Sequence, residues 1–152
     1  MWPAARRSRS RCSACRRRCA SPTVPGSTCW WWGGRSRPGE RSLVGPLALR
    51  TLESLAFDRF VMSIGGVHAE HGWSEFSLDD AAVKQAGLAQ AATTIAVADA
   101  TKLGVRAFSK VADLGAVDAF VTDAAADDPE THPGGPQTLR ALRDAGVRVA
   151  MI

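Results

Sequence analysis

Four short apolar runs, at 60–64, 94–98, 118–122 and 147–152, are each preceded by a stretch with helical character. That alternation constrains the chain most, because successive strands separated by helices pair as a parallel sheet with helices over its faces. The first helix is expected over 47–56, opened by Gly45-Pro46, with Leu52, Leu55 and Ala56 at helical spacing beside Leu47 and Ala48. Ser77-Leu-Asp-Asp80 is a capping-box-like start for a helix that runs through Ala92, with Gly87 a weak point inside it. A short helix is predicted across 105–112. After the turn formers of 124–136, Pro136 opens a last helix that reaches Ala145 and is capped by Gly146. Thr94-Ile-Ala-Val-Ala98 is continuously apolar rather than alternating, which predicts burial on both faces. The expected class is α/β.

Charge divides the chain. Residues 1–40 hold nine arginines and one acid, Glu40, for a charge of +8. Residues 41–152 hold ten bases and fourteen acids, for −4, so the basic character describes only the beginning of the chain. All four cysteines and four of the five tryptophans precede residue 33, where no Lys, Asp, Glu, Ile, Leu, Phe or Asn occurs. Residues 1–32 are expected to be a disordered basic tail, since such a composition buries too little apolar surface to offset its ordering entropy. Cys12, Cys15, Cys19 and Cys29 invite a metal site, but no second close pair and no His lie nearby, and the surrounding arginines repel a cation. An arginine-rich arm for nucleic acid is a second reading. The composition favours a third, because Arg, Ser, Cys, Trp, Gly and Pro are what GC-rich codons spell out of frame.

No apolar run approaches the roughly 18 residues of a membrane helix, and no secretory signal is visible, so a cytoplasmic protein without a membrane partner is expected.

In open parallel sheets, ligands bind beyond the carboxyl ends of the strands. Gly65-Gly66 follows the first apolar run, and missing side chains there let backbone amides approach an anion. Asp99-Ala-Thr-Lys102 follows the second and offers a carboxylate for hydroxyls and an ammonium for phosphate; Asp123 follows the third. Taken singly, each has a plainer reading: a Gly-Gly pair turns the chain, an Asp after a strand caps the next turn, and a lysine is solvated. Their shared edge of the sheet favours function. His68 and His71 flank Glu70 without an obvious third ligand, so no metal is assigned. No Ser-His-Asp pattern supports nucleophilic catalysis, and neither catalytic residue nor cofactor is assigned.

Gly33-Gly34, Ser42-Leu-Val-Gly-Pro46, Phe57-Asp58, Ser63-Ile-Gly-Gly66, Glu70-His-Gly72, Ala82-Val-Lys84, Ala98-Asp-Ala-Thr-Lys102, Val121-Thr-Asp123 and Ala145-Gly-Val-Arg-Val149 occur in this order. Over about 120 residues, 33–152, the chain resembles the ligand-sensing half of DeoR-family transcriptional repressors. The resemblance implies a fold similar to ribose-5-phosphate isomerase and the CoA-transferase group, and a phosphorylated sugar or related metabolite as effector. It implies phosphate or hydroxyl contact for Lys102, with Lys84, Glu70 and Asp99 on matching positions. Two departures matter: nothing before Gly33 matches the family's winged helix-turn-helix, and the early Gly-Thr-Thr phosphate loop has no counterpart. The expectation is a partial sensor domain without its own DNA reader, homo-oligomerisation being left open. The alternatives are a sugar-phosphate isomerase-like enzyme and an inactive truncated fragment. Isomerases of this fold resemble the chain around Lys102 but carry paired aspartates where Ser63-Ile-Gly-Gly66 stands, which argues against an enzyme.

Overall fold

The apolar runs become the core sheet of the computed structural model, which describes residues 33–37 and 42–152. The expectation of a disordered tail over residues 1–32 lies outside the described residues. Strands β3 (Phe60–Ser63), β6 (Thr94–Val97), β8 (Ala119–Thr122) and β9 (Arg148–Met151) form a four-stranded sheet in the order β3-β6-β8-β9. All three pairings are parallel, with Met62 opposite Ala96, Ala96 opposite Phe120, and Phe120 opposite Val149. A two-stranded ribbon, β1 (Arg35–Ser36) and β2 (Leu43–Val44), precedes α1 (Pro46–Glu53). Helix α2 spans Leu78–Gln90, and α3 spans Gly135–Asp144 with a proline in its first turn. As read from the sequence, the Ser77 hydroxyl accepts from the amide of Asp80 at 3.4 Å and caps α2.

The stretch at 105–112 is not a helix. Ser109–Ala112 is strand β7, which pairs antiparallel with β5 (Gly72–Glu75); β5 in turn pairs with β4 (Gly66–His68). Of the four residues in β7 only Val111 is buried, and so short a run carries too little period to separate strand from helix. Glycine makes the second sheet close. At φ +80°, Gly72 adopts a backbone conformation that L side chains disfavour, and a Cβ there would collide with the carbonyl oxygen of Ala112 on β7.

One face of the parallel sheet is buried. Met62, Ala96 and Phe120 meet Val67, Trp73 and Val111 of the antiparallel sheet and Leu139 and Leu142 of α3 in one core. The Trp73 and Phe120 rings pack edge to face at 5.5 Å, and the Trp73 indole donates to the Leu114 carbonyl at 3.0 Å, satisfying its polar atom in the core. The opposite face was expected to be covered as well. Among the described residues no layer lies over it: Val61 is 64% and Val97 41% exposed, and Ile95 and Val121 are half-buried.

Candidate functional site

At the carboxyl edge of the parallel sheet lies a cavity of about 370 Å³, lined by Arg37, Ser42, Ser63, Ile64, Gly65, Glu75, Phe76, Ser77, Asp80, Lys84 and Lys102. That volume falls within the roughly 300–1,000 Å³ of ordinary small-molecule sites. Three segments meet there because of topology: the end of β3 supplies Ser63 to Gly65, the turn after β6 supplies Lys102, and β5 running into α2 supplies the rest of one wall. The β1-β2 ribbon adds Arg37 and Ser42.

Two nearly buried ion pairs stand in this wall. Lys84 on α2 donates to Glu75 Oε1, both side chains being under a fifth exposed, and the Phe76 amide donates to Glu75 Oε2 at 3.3 Å. Arg37 donates to Asp80, one helical turn before Lys84. Asp79 and Asp80 sit in the first turn of α2, where carboxylates also complement the helix dipole. Beside Asp80, the more exposed Arg35 pairs with Asp79 at 2.7 Å. Gly65 packs closely on this wall: a Cβ there would stand 2.8 Å from Glu75 Oε2 and 3.1 Å from the Phe76 ring, so a side chain would displace one or both.

Of the seven residues singled out from the sequence, Gly65, Lys84 and Lys102 line this cavity. Asp99 and Asp123 instead shape the turn that carries Lys102. Asp99 accepts from the hydroxyl and amide of Thr101 and caps the single 3-10 turn Ala100–Lys102. The Thr101 hydroxyl holds the Asp99 carboxyl below its ordinary value, outweighing an opposing desolvation with lesser help from the Thr101 amide and the nearby Lys102 charge. Asp123 accepts from the Ala100 amide at 2.8 Å and from Ala125 at 3.1 Å, tying the turns after β6 and β8 together. Gly66 is buried in β4, where a Cβ would meet the Val105 carbonyl at 2.5 Å. Glu70 does not line the cavity: it is exposed in the β4-β5 turn, its amide donating to His68 Nδ1 at 3.2 Å.

In the same turn, partial desolvation and the charges of Arg106, Lys110 and His68 push the His71 imidazole below its usual value. Among the described residues, no group of three His, Cys, Asp or Glu is arranged to hold a metal.

Sequence reasoning passed over Arg37, Ser42, Ser63, Glu75, Phe76 and Asp80 as cavity residues. Arg37 and Asp80 pair across 43 residues and Glu75 pairs with Lys84 from strand to helix, so no motif spacing marks them.

Fold and cavity define an α/β domain with a charged, polar hollow at the carboxyl edge of a parallel sheet. The chain belongs to the DeoR C terminal sensor domain family, which matches residues 25–124. It is 35% identical over 95 residues to the HTH-type transcriptional regulator GlpR of Haloferax volcanii, a match covering 62% of this chain and 37% of the relative. It is 32% identical over 111 residues to the HTH-type transcriptional regulator YulB of Bacillus subtilis, covering 73% and 40%. To the HTH-type transcriptional repressor GlcR of Bacillus subtilis it is 33% identical over 91 residues, covering 60% and 35%. The chain thus spans well under half the length of these curated relatives. It is a sensor module of the DeoR type.

Proposed function

We propose that the cavity is the effector site of a cytoplasmic transcription regulator and receives a phosphorylated sugar, with Lys102 as the anchor for the phosphate. The observation that carries this reading is the assignment of charge in the cavity. Arg37 and Lys84 are committed to Asp80 and Glu75, whereas Lys102 forms no salt bridge with any described residue. Among the described residues, Lys102 is therefore the cation of the cavity that stands outside any ion pair, half-buried at a strand carboxyl end with Gly65 in the same lining. Ser42 and Ser63 offer hydroxyls, and the carboxylate oxygens of Glu75 and Asp80 offer acceptors for a polyol. Gly66, Asp99 and Asp123 support the site from behind by shaping its backbone. Glu70, apart from the cavity, has no place in it.

The reading is of a sensor, not an enzyme. Glu75 brings a carboxylate near Gly65 that the loop 63–66 itself lacks, which is a feature that favours an isomerase. Its engagement by Lys84 favours a structural and ligand-orienting role instead. DNA would be reached through a helix-turn-helix of the kind that the relatives' names state, with sugar binding linked to operator affinity and oligomerisation as a further partner contact.

The test is an NMR-detected titration of the full chain with hexose and pentose phosphates, a method that reads weak binding. A charge-assisted hydrogen bond to phosphate is worth roughly 1.5–3 kcal/mol, so Lys102→Ala is expected to weaken binding by about tenfold to a hundredfold. Lys110→Ala is the control, because Lys110 lies on β7 outside the cavity and pairs with Asp113 at 2.5 Å. Equal affinity for wild type and Lys102→Ala removes the anchor. Isomerisation of a pentose phosphate that disappears in Glu75→Gln overturns the non-enzyme reading.

A further inference from the structure

Among the described residues, Phe76 is the one aromatic side chain that lines the cavity. It is 64% exposed, whereas Trp73 and Phe120 are fully buried and Phe108, apart from the cavity, is 78% exposed. The Phe76 amide donates to Glu75 Oε2, and its ring edge comes 3.1 Å from where a Gly65 Cβ would stand, so the glycine leaves room for the ring beside it. Folding gains little from leaving a phenylalanine so exposed, since it is burial of the ring that stabilises a fold.

We propose that Phe76 is a specificity-determining residue that stacks on the carbon face of a ring-form sugar, so that the sensor selects cyclic sugar phosphates over open-chain polyol phosphates. This rests on the effector-site reading above. A closed sugar ring presents hydroxyls around its rim and C–H bonds on a face, which makes it amphipathic. The cavity matches both characters. Hydroxyl and carboxylate oxygens of Ser42, Ser63, Glu75 and Asp80 line it as acceptors, while the Phe76 ring supplies the aromatic surface among the described residues, whose negative π face attracts C–H edges. Lys102 holds the phosphate at the strand end. An open-chain polyol phosphate carries the same phosphate and hydroxyls but has no rigid carbon face to lay on the ring. A nucleotide also has a flat face to stack, but the carboxylate-rich wall suits a polyol better than a base.

The experiment titrates the full chain with glucose 6-phosphate, with its open-chain reduction product glucitol 6-phosphate, with adenosine monophosphate and with inorganic phosphate. Wild type, Phe76→Ala, Phe76→Tyr and Lys102→Ala are compared. Because Phe76 is largely exposed, Phe76→Ala is expected to keep the fold. Wild type is expected to bind the cyclic ester at least several-fold more tightly than the open-chain one. Phe76→Ala should abolish that preference while leaving inorganic phosphate unchanged, and Phe76→Tyr, which keeps the ring face, should restore it. Equal losses for the cyclic and open-chain esters in Phe76→Ala, or an unchanged preference, overturn the stacking proposal while leaving the effector site standing. Preference for adenosine monophosphate over the sugar phosphates overturns the ligand class. Binding of no sugar phosphate, or binding indifferent to Lys102→Ala, overturns the effector-site reading and this proposal with it.

Discussion

Lys84 and Glu75 illustrate how the cavity can hold charge without losing the fold. Their side chains are 17% and 10% exposed, so each loses most of its hydration and is compensated chiefly by the other. Such a pair adds little relative to a well-packed apolar pair, but breaking it from one side leaves a charge stranded. Lys84→Met is expected to destabilise the chain by roughly 3 kcal/mol in denaturant unfolding, with Glu75→Gln in the same chain recovering most of the loss. Arg35→Ala offers the contrast. Arg35 and Asp79 are 64% and 48% exposed, and removing such a surface pair costs about 0–1 kcal/mol. If Lys84→Met is as mild as Arg35→Ala, water reaches the pair and the wall of the cavity is more open than described.

Among the elements, the antiparallel sheet decides where the site forms, since β5 delivers Glu75 and Phe76 to the end of the parallel sheet. Its closest approach is Gly72 against Ala112. Gly72→Ala is expected to cost clearly more than Gly146→Ala, measured as the shift in thermal midpoint. Both residues have positive φ, each worth roughly 1–2 kcal/mol of strain for a side chain, but only Gly72 has a backbone neighbour in the way. Equal shifts mean that β7 can move away from β5. This sheet was also what sequence reasoning failed to see. The parallel strands were legible because each is an apolar run closed by a turn residue, and α2 because Ser77 marks its start. Strands β4, β5 and β7 have three or four residues each and include Gly66, Gly72, His68, Ser74 and Lys110, which read as loop or as helix surface. Ser74 is buried in spite of its hydroxyl, because that hydroxyl donates to the Gly66 carbonyl at 3.2 Å and accepts from the Ala107 amide at 3.0 Å. Only the completed sheet supplies those partners. Likewise, Gly65 and Lys102 were legible as strand-end residues, whereas Arg37, Glu75 and Asp80 become cavity residues through tertiary pairing alone.

At the scale of the molecule, the two faces of the parallel sheet behave as if they belonged to different environments. Met62, Ala96 and Phe120 are at most 1% exposed, while Val61 and Val97 on the opposite face are 64% and 41% exposed. Parallel sheets are ordinarily covered on both faces, and an uncovered apolar face favours association. The two faces should therefore answer mutation differently. Met62→Ala removes packing from the closed core and is expected to cost about 2–5 kcal/mol. Val97→Lys changes a side chain with no layer above it among the described residues, so stability should stay within about 0.5 kcal/mol of wild type. The same substitution places a charge on the open face, at the end of an inner strand, and should reduce concentration-dependent association in sedimentation velocity. The pair of measurements separates two states of the chain in solution. A stability loss in Val97→Lys comparable to that of Met62→Ala means that a further layer, from the chain or a second copy, covers the face. Unchanged stability together with reduced association means that the face is open in the monomer and is the surface through which copies meet.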